Sequence, residues 1–541
     1  MKRFEIAMML AIASFVSATI ARPVGADEAN RKDLGDLITL DLYGSYEEMG
    51  RQYVELMRPE VQAIYDFEIP GVRRLKTGPA GQALIQYSEA FSDNSGLAEE
   101  YAGMAEVLNV PKESFILSLL GQAGGSTVFA STRSATADGH ALIGRNVDWD
   151  DAFGRRRPVV TIYHPDGDDL DYMSVGWPLM NAPTAGLNEA GLGFSLNFFF
   201  AKPQVGFDLP ANITMRRVLQ RAKNVSEAIE LITSAKSHFF AAYFVLADSG
   251  GEIALVELTA EKVAVLRPEA DWFAHANHAL IPEMVDVDMA RQPDTYDRQT
   301  FMEDAVRENL GKLTPEVAAE TLRNRRSELP FANEWNVANL HALNSLVIHP
   351  KTLTLWHSTT MIPHAPFGEY VPFTFAKDAA PPSIPASSLL TDGGLDLERR
   401  EIRQVRKAQR LHHEQKYTQA QAAWDAAFAM DLKTLNVPRL MLGKALTSTR
   451  LGNLEQAYEE LSESLNPDAE YSVRLTALAF RAILADELGQ RAKAISLYNK
   501  ALALLEPHPD YSGFARIRAT AEAGLASPQT LEQIPEIRVG V

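Results

Sequence analysis

The 541-residue sequence contains no cysteine. That excludes a disulfide framework, thiolate metal sites and thiol catalysis. Positive charge is scarce: 52 Lys and Arg stand against 70 Asp and Glu, for a formal net charge of -18. A surface of that sign repels phosphate backbones and anionic lipid, so neither nucleic-acid binding nor peripheral membrane binding is expected. The chain has no Gly-x-Ser-x-Gly elbow, no His-Glu-x-x-His and no phosphate-binding glycine-rich loop with lysine. The usual motifs of α/β-hydrolases, zinc proteases and P-loop enzymes are therefore missing. Long apolar runs are also rare. The clearest covers residues 6–20, shorter than the roughly 20 residues that span a bilayer. Lys2 and Arg3 precede it and Val24-Gly25-Ala26 follow it, so residues 1–26 read as a signal peptide, although Glu5 is untypical. A periplasmic or secreted protein with no membrane span after signal removal is expected.

With 46% apolar and 23% charged residues, the chain is long enough to bury more than one core. From residue 37 to about 375, short β-branched or aromatic runs alternate with amphipathic helical stretches, the pattern of a mixed α/β or α+β domain. Helical spacing is found at 45–67, 80–107, 213–222 and 225–234, and Pro111 opens a further helix. Asn224 with Glu227 makes a capping-box pattern, and Thr314-Pro315 starts another helix. Strand patterns occupy 127–131, 141–147, 159–163, 191–200, 241–247, 253–258, 345–349 and 352–357.

Residues 376–398 are read as a linker, because Pro381, Pro382, Pro385, Ser383, Ser387, Ser388 and the Gly393-Gly394 pair crowd its first part. Few obligatory contacts are expected across it. Beyond it the pattern is helical with a period of 37 residues, which aligns Ala420 with Ala457 and Ala494, and Trp424 with Leu461 and Tyr498. Residues 399–525 thereby resemble tetratricopeptide repeats, whose small residues admit close helix packing, and a protein partner is expected on their concave face. Residues 526–541 form a tail.

Gly124-Gly125-Ser126-Thr127 lies between a helical stretch and a strand, an unusual place for a hydroxyl pair. Twelve residues after Ser126 comes the turn signal Asp138-Gly139, followed by a strand carrying Arg145 and Asp148. Folding back through that turn brings a nucleophile, a cation and a carboxylate to one sheet edge. These segments, with Gly44 to Gly50, Gly186 to Leu192, Ala274 to His278 and Asn344 to Pro350, resemble the penicillin acyltransferase peptidase family, relatives of the choloylglycine hydrolases and penicillin V acylases.

The resemblance implies a four-layer αββα sandwich of the N-terminal-nucleophile (Ntn) type over residues 27–375, followed by an all-α repeat domain, in an α+β chain overall. It implies self-cleavage between Gly125 and Ser126, giving a small chain of 27–125 and a large chain starting at Ser126. The substrate implied is a small N-acyl amide, hydrolysed or used as acyl donor without a cofactor or metal. The family ordinarily has cysteine where this chain has Ser126. A hydroxyl works by the same logic when the residue's own α-amine, with an ordinary pKa of about 7.7 to 8, serves as base. By resemblance Asp148 orients that amine, and Arg145 favours its neutral form and positions the carboxylate. Asn277 and Asn197 match positions near the oxyanion, and Arg298 completes the set. Plainer roles stay open: a structural ion pair for Arg145 with Asp148, a strand-end turn for Asn197, a solvated helix charge for Arg298. A different class also stays open, a catalytically silent Ntn-fold protein that recruits a partner through its repeats.

Overall fold

The computed structural model describes residues 29–76, 96–110, 115, 125–148, 157–179, 183–198, 201–202, 211–234, 241–289, 291, 293–325, 336–339, 341–361, 363–509 and 511–535. Among them no helix is long and apolar enough to cross a membrane. The expected signal segment, most of the 80–107 helix and the helix opening at Pro111 fall largely outside these residues.

Fifteen strands make two sheets among the described residues. The larger has the order β1-β2-β5-β6-β7-β8-β9-β10-β11, running from β1 (Asn30–Leu34) and β2 (Leu37–Gly44) at one side through β6 (Tyr172–Gly176), β7 (Ala185–Asn188), β8 (Leu192–Phe198) and β9 (Ala242–Asp248) to β10 (Ile253–Leu258) and β11 (Val263–Leu266). Its pairs are antiparallel except β2 with β5 (Val159–Pro165), joined through a crossover that includes the whole first hairpin of the smaller sheet. The smaller sheet has the order β12-β3-β4-β13-β14-β15: β3 (Gly125–Ser131) and β4 (Leu142–Asp148) lie between β12 (Trp272–His275) and β13 (Ala342–His349), and β14 (Thr354–Ser358) and β15 (Tyr370–Thr374) follow at the other side. Strands such as β10, buried at every residue, read as continuous apolar runs because both of their faces are covered.

Three apolar clusters show how the layers stack. Helices α1 (Tyr46–Lys76), α2 (Leu97–Leu108), α3 (Ala211–Arg221) and α4 (Val225–Ser234) place Met49, Tyr53, Met104, Val218 and Ile232 against Leu40, Phe194 and Val256 on one face of the larger sheet. The other face meets the smaller sheet through Val160, Val175, Leu187 and Val245 against Val128, Ile143, Leu346 and Ile348. The far face of the smaller sheet, with Phe129, Leu142 and Val347, is covered by Met302 and Val306 of α5 (Pro293–Glu308) and by Ala318 and Leu322 of α6 (Pro315–Leu322). Burying side chains of this size is worth roughly 1.5 to 3 kcal/mol each, which is what holds the layers in register.

Past residue 395 the chain is helical: α7 (Asp396–His413), α8 (Tyr417–Phe428), α9 (Val437–Arg450), α10 (Leu454–Glu460), α11 (Tyr471–Glu487), α12 (Arg491–Leu505) and α13 (Ala515–Ala526). The 37-residue register recurs in the packing. Ala420, Ala457 and Ala494 have no exposed surface, and neither do Leu461 and Tyr498, while Trp424 has almost none. Gly452 and Gly489 take φ of +81° and +70° in the equivalent turns, a left-handed conformation that favours glycine.

The expectation of few contacts across residues 376–398 fails. Ile384 pairs with Tyr370 and is buried, Trp356 donates through its indole to Pro382 O at 3.0 Å, and Arg323 donates to Pro385 O at 2.7 Å. Prolines lack an N–H but keep their carbonyls, so a proline-rich strap can be held by outside donors without joining a sheet. At its end Glu398 of α7 is buried, accepting from His364 Nε2 at 2.9 Å and Arg325 Nη1 at 3.2 Å. A second junction lies before α13, where Arg291 N donates to Ser512 Oγ at 3.2 Å and Gly513 N to Arg291 O at 3.0 Å.

Candidate active site

The hairpin of β3 and β4 builds the site. Its register sets Gly125 opposite Asp148, Ser126 opposite Val147 and Val128 opposite Arg145. Directly opposed residues share a face. Ser126, Val128, Arg145 and Val147 therefore face the larger sheet, while Thr127 and Asp148 face α5. The site straddles the end of the hairpin, with the hydroxyl on one face and the carboxylate on the other.

Ser126 is fully buried and held at each of its polar groups. Its N–H donates to Asn277 Oδ1 at 2.7 Å, its carbonyl accepts from Arg298 Nη1 at 2.7 Å, and its Oγ lies 3.5 Å from Arg145 Nη2. Arg298, on the buried side of α5, also donates to Thr127 Oγ1 at 2.9 Å and Asn277 Oδ1 at 3.0 Å, and lies 3.6 Å from both Asp148 and Asp294. A Cβ on Gly125 would sit 3.3 Å from the Asp148 Cβ and 3.6 Å from its Oδ2, so glycine lets the carboxylate lie close to the bond before Ser126.

Two expected roles are reassigned by this geometry. The cation paired with Asp148 is Arg298; Arg145 instead donates to Thr184 O at 2.8 Å and to Leu196 O on β8. Burial pushes the Arg145 pKa down to about 9, against a smaller raising effect of Asp148. A guanidinium starts high enough to stay charged at neutral pH, so this cation beside the hydroxyl favours any negative charge that develops there. A solvated helix charge is excluded for Arg298, which is 3% exposed. Asn197 lies inside β8, not at a turn; its Nδ2 donates to Ala276 O at 2.9 Å and faces His275 Nδ1 at 3.2 Å, which leaves Oδ1 as the group it presents. Asn277 donates through Nδ2 to Phe198 O at 3.0 Å. Both side-chain amides thus donate to backbone carbonyls, Asn197 to that of Ala276 and Asn277 to that of Phe198.

Sequence reading missed Thr127 and Asp294 as partners of Arg298; the spacing of Asp294 and Arg298, one helical turn apart, is a signal that could have found Asp294, and nothing local marks Thr127. It also missed what lies behind Asn197. His275 is fully buried, its pKa pushed down to about 3 by burial, with Nε2 4.0 Å from the buried Glu257. Glu257 accepts from Leu280 N at 2.7 Å and Ile281 N at 3.2 Å, yet burial outweighs these bonds and raises its pKa to about 7. A carboxyl whose folded pKa lies above its unfolded value is most favourable to folding below the unfolded value, and that advantage is lost as pH rises through the folded one. Between pH 4.5 and 7 this amounts to about 3 kcal/mol. Glu257→Gln is expected to raise the melting temperature at pH 8 more than at pH 5, because glutamine removes the cost of ionising this buried carboxyl; the depressed buried histidines, His275 among them, act in the opposite sense on the chain as a whole. Equal slopes for wild type and variant in thermal melts across that range would remove Glu257 as a source of pH dependence.

Residues 135–359 match the family of acyl-coenzyme A:6-aminopenicillanic acid acyl-transferase. The match contains Arg145, Asp148, Asn197, Asn277 and Arg298; Ser126 lies just before its start and the helical array outside it. No curated protein matches the chain. Among solved structures the chain is similar to a Caenorhabditis elegans N-acylethanolamine-hydrolyzing acid amidase ortholog, at 15% identity and a TM-score of 0.31 over 42% of this chain and 93% of that one. It is also similar to a mutant conjugated bile acid hydrolase from Clostridium perfringens, at 14% identity and a TM-score of 0.32 over 48% and 99%. Penicillin V acylase from Agrobacterium tumefaciens gives 14% identity and a TM-score of 0.30 over 46% and 86%.

Proposed function

We propose that this chain is an amide hydrolase or acyltransferase of the N-terminal-nucleophile type, an αββα sandwich that cuts itself between Gly125 and Ser126 and then uses Ser126 on small N-acyl amides. The observation that carries the reading is the set of bonds around Ser126: its nitrogen on Asn277 and its carbonyl on Arg298, with Arg145 beside its hydroxyl. Breaking the bond before Ser126 turns that nitrogen into an α-amine. Asn277 Oδ1 then holds one of its N–H groups, which leaves the lone pair for the hydroxyl proton. The two nearby guanidinium groups disfavour a protonated amine, so it is neutral, and a base, near neutral pH. Oγ attacks the substrate carbonyl, the amine passes the proton to the leaving nitrogen, and water or a second amine takes the acyl group from Ser126. The groups bonded to Ser126 among the described residues include no histidine, which favours the amine as base over an imidazole. The family matched by residues 135–359 is named for transfer of an acyl group to an amine, in keeping with this chemistry. Export through residues 1–26, and a tetratricopeptide-like array over 399–525, complete the reading.

Ser126→Ala tests it. This variant is expected to stay a single chain and to hydrolyse no N-acyl amide, whereas Ser126→Cys, which has the family's usual side chain, is expected to be cut at least as fast as wild type. Normal cleavage of the alanine variant on denaturing electrophoresis would remove self-processing from the account.

A further inference from the structure

Beside Ser126 the space between the sheets changes character. Val147 leaves the main inter-sheet core and clusters with Trp177 and Leu343, joined by Phe198 and Met361. Next to this small apolar cluster lies Asn344 of β13, with no exposed surface and with neither Nδ2 nor Oδ1 hydrogen-bonded. Asn344 stands opposite Val147, which stands opposite Ser126, and Leu346 and Ile348 further along the strand lie in the core between the sheets. The three residues thus form one row across three strands on the face that carries the hydroxyl. On the facing sheet β8 lies over β3 and β4, and there Asn197 Oδ1 and Ser195 Oγ are also buried without partners. Buried polar side chains are nearly always bonded, so several unbonded ones around one nucleophile point to a ligand that supplies the bonds.

The position of Asn344 assigns it a side of the substrate. The future α-amine is held by Asn277, which follows β12, and β12 borders β3 on the side away from β4 and β13. The leaving nitrogen takes its proton from that amine and so lies toward β12. The acyl group extends the other way, over Val147 toward Asn344, two strand spacings or about 10 Å from Ser126. A carboxamide offers donors and an acceptor without charge. A carboxylate would satisfy only its donors; a second amide satisfies both ends. We propose that Asn344 is a specificity-determining residue that binds a second, uncharged amide in the acyl part of the substrate, a few bonds from the carbonyl that Ser126 attacks. This rests on Ser126 being the nucleophile.

The test uses two series of p-nitroanilides with the processed, full-length chain. N-acetylglycyl, N-acetyl-β-alanyl and N-acetyl-γ-aminobutyryl anilides carry the amide; pentanoyl, hexanoyl and heptanoyl anilides are their hydrocarbon matches. The wild type is expected to favour the amide member of at least one pair by roughly 10-fold or more in kcat/KM. In Asn344→Leu that ratio is expected to fall to near one, and the melting temperature to stay level or rise, because unbonded polar atoms are replaced by apolar ones of similar size. Hydrocarbon turnover without preference in the wild type, a preference that survives in Asn344→Leu, or a fall of several degrees in its melting temperature would each overturn the assignment. Turnover of neither series by a chain cut before Ser126 would overturn it too, whereas an uncut, inactive chain would remove the proposed function itself.

Discussion

Arg298→Ala is expected to block cleavage before Ser126 and to lower any residual kcat/KM by roughly 1,000-fold or more. The size follows from the number of groups this one side chain holds. Its guanidinium donates to the Ser126 carbonyl, the Thr127 hydroxyl and Asn277 Oδ1, and lies within 3.6 Å of Asp148 and Asp294. Removing it leaves Asp148 nearly buried beside an uncompensated site and frees Asn277 to turn away from the Ser126 nitrogen. Stranding a buried charge costs about 3 to 5 kcal/mol, so the melting temperature is expected to fall as well. Arg298→Lys separates the two effects. Lysine keeps the charge but not the planar fork, so it is expected to recover most of the stability and little of the rate. Arg307→Ala, an exposed arginine one face away on the same helix, is the control expected to change neither. Normal cleavage and turnover in Arg298→Ala would show that the network is a packing feature.

The second large effect is expected from deleting residues 396–541. The truncated chain is expected to be insoluble, or to remain uncut and inactive where it folds at all. Glu398 is buried between His364 and Arg325, and Arg325 lies over the Phe367 ring at 4.3 Å, so the cut leaves a buried cation and an open apolar face. At the other junction the loop of Tyr511, Ser512 and Gly513 grips Arg291, just before the helix that carries Asp294 and Arg298. Tyr511 also approaches Tyr296, whose ring lies tilted against His278, the neighbour of Asn277, at 4.1 Å between centroids. The helical array therefore braces the helix whose Arg298 holds the Ser126 carbonyl. Glu398→Ala gives the same information without truncation: by stranding Arg325 it is expected to cost about 3 kcal/mol. A soluble, self-cut and active 27–395 chain would mean that the array is an independent appendage.

The β3–β4 hairpin was legible because its signals are local. A Gly-Gly-Ser-Thr run opens the first strand, and Asp138-Gly139 marks the return, where Gly139 takes a φ of +77°. The 37-residue register was legible for the same reason, since small residues at fixed spacing lead directly to buried alanines. What was not legible depends on residues far apart in the chain. Helix α5 carries Arg298, but its buried residues Met302, Ala305 and Val306 are few among charged ones, so its sequence shows a weak apolar stripe. Strand β12 is four residues long and was read as a motif, not as the edge that delivers Asn277. The exchange of the Asp148 partner from Arg145 to Arg298 could not be read either. The hairpin fixes which face each side chain takes, but the cation on the carboxylate face comes from a helix more than a hundred residues later. The strap at 376–395 misled because proline and serine mark irregular backbone, and irregular backbone can still be tightly held.

The central claim is that Ser126 becomes an N-terminus. It is tested most directly by sequencing the N-termini of the protein purified from cells that export it, beside the Ser126→Ala variant. The account predicts a large fragment that begins Ser126-Thr127-Val128 in the wild type and an unbroken junction at Gly125-Ser126 in the variant. An active wild-type protein in which that junction is intact would contradict it.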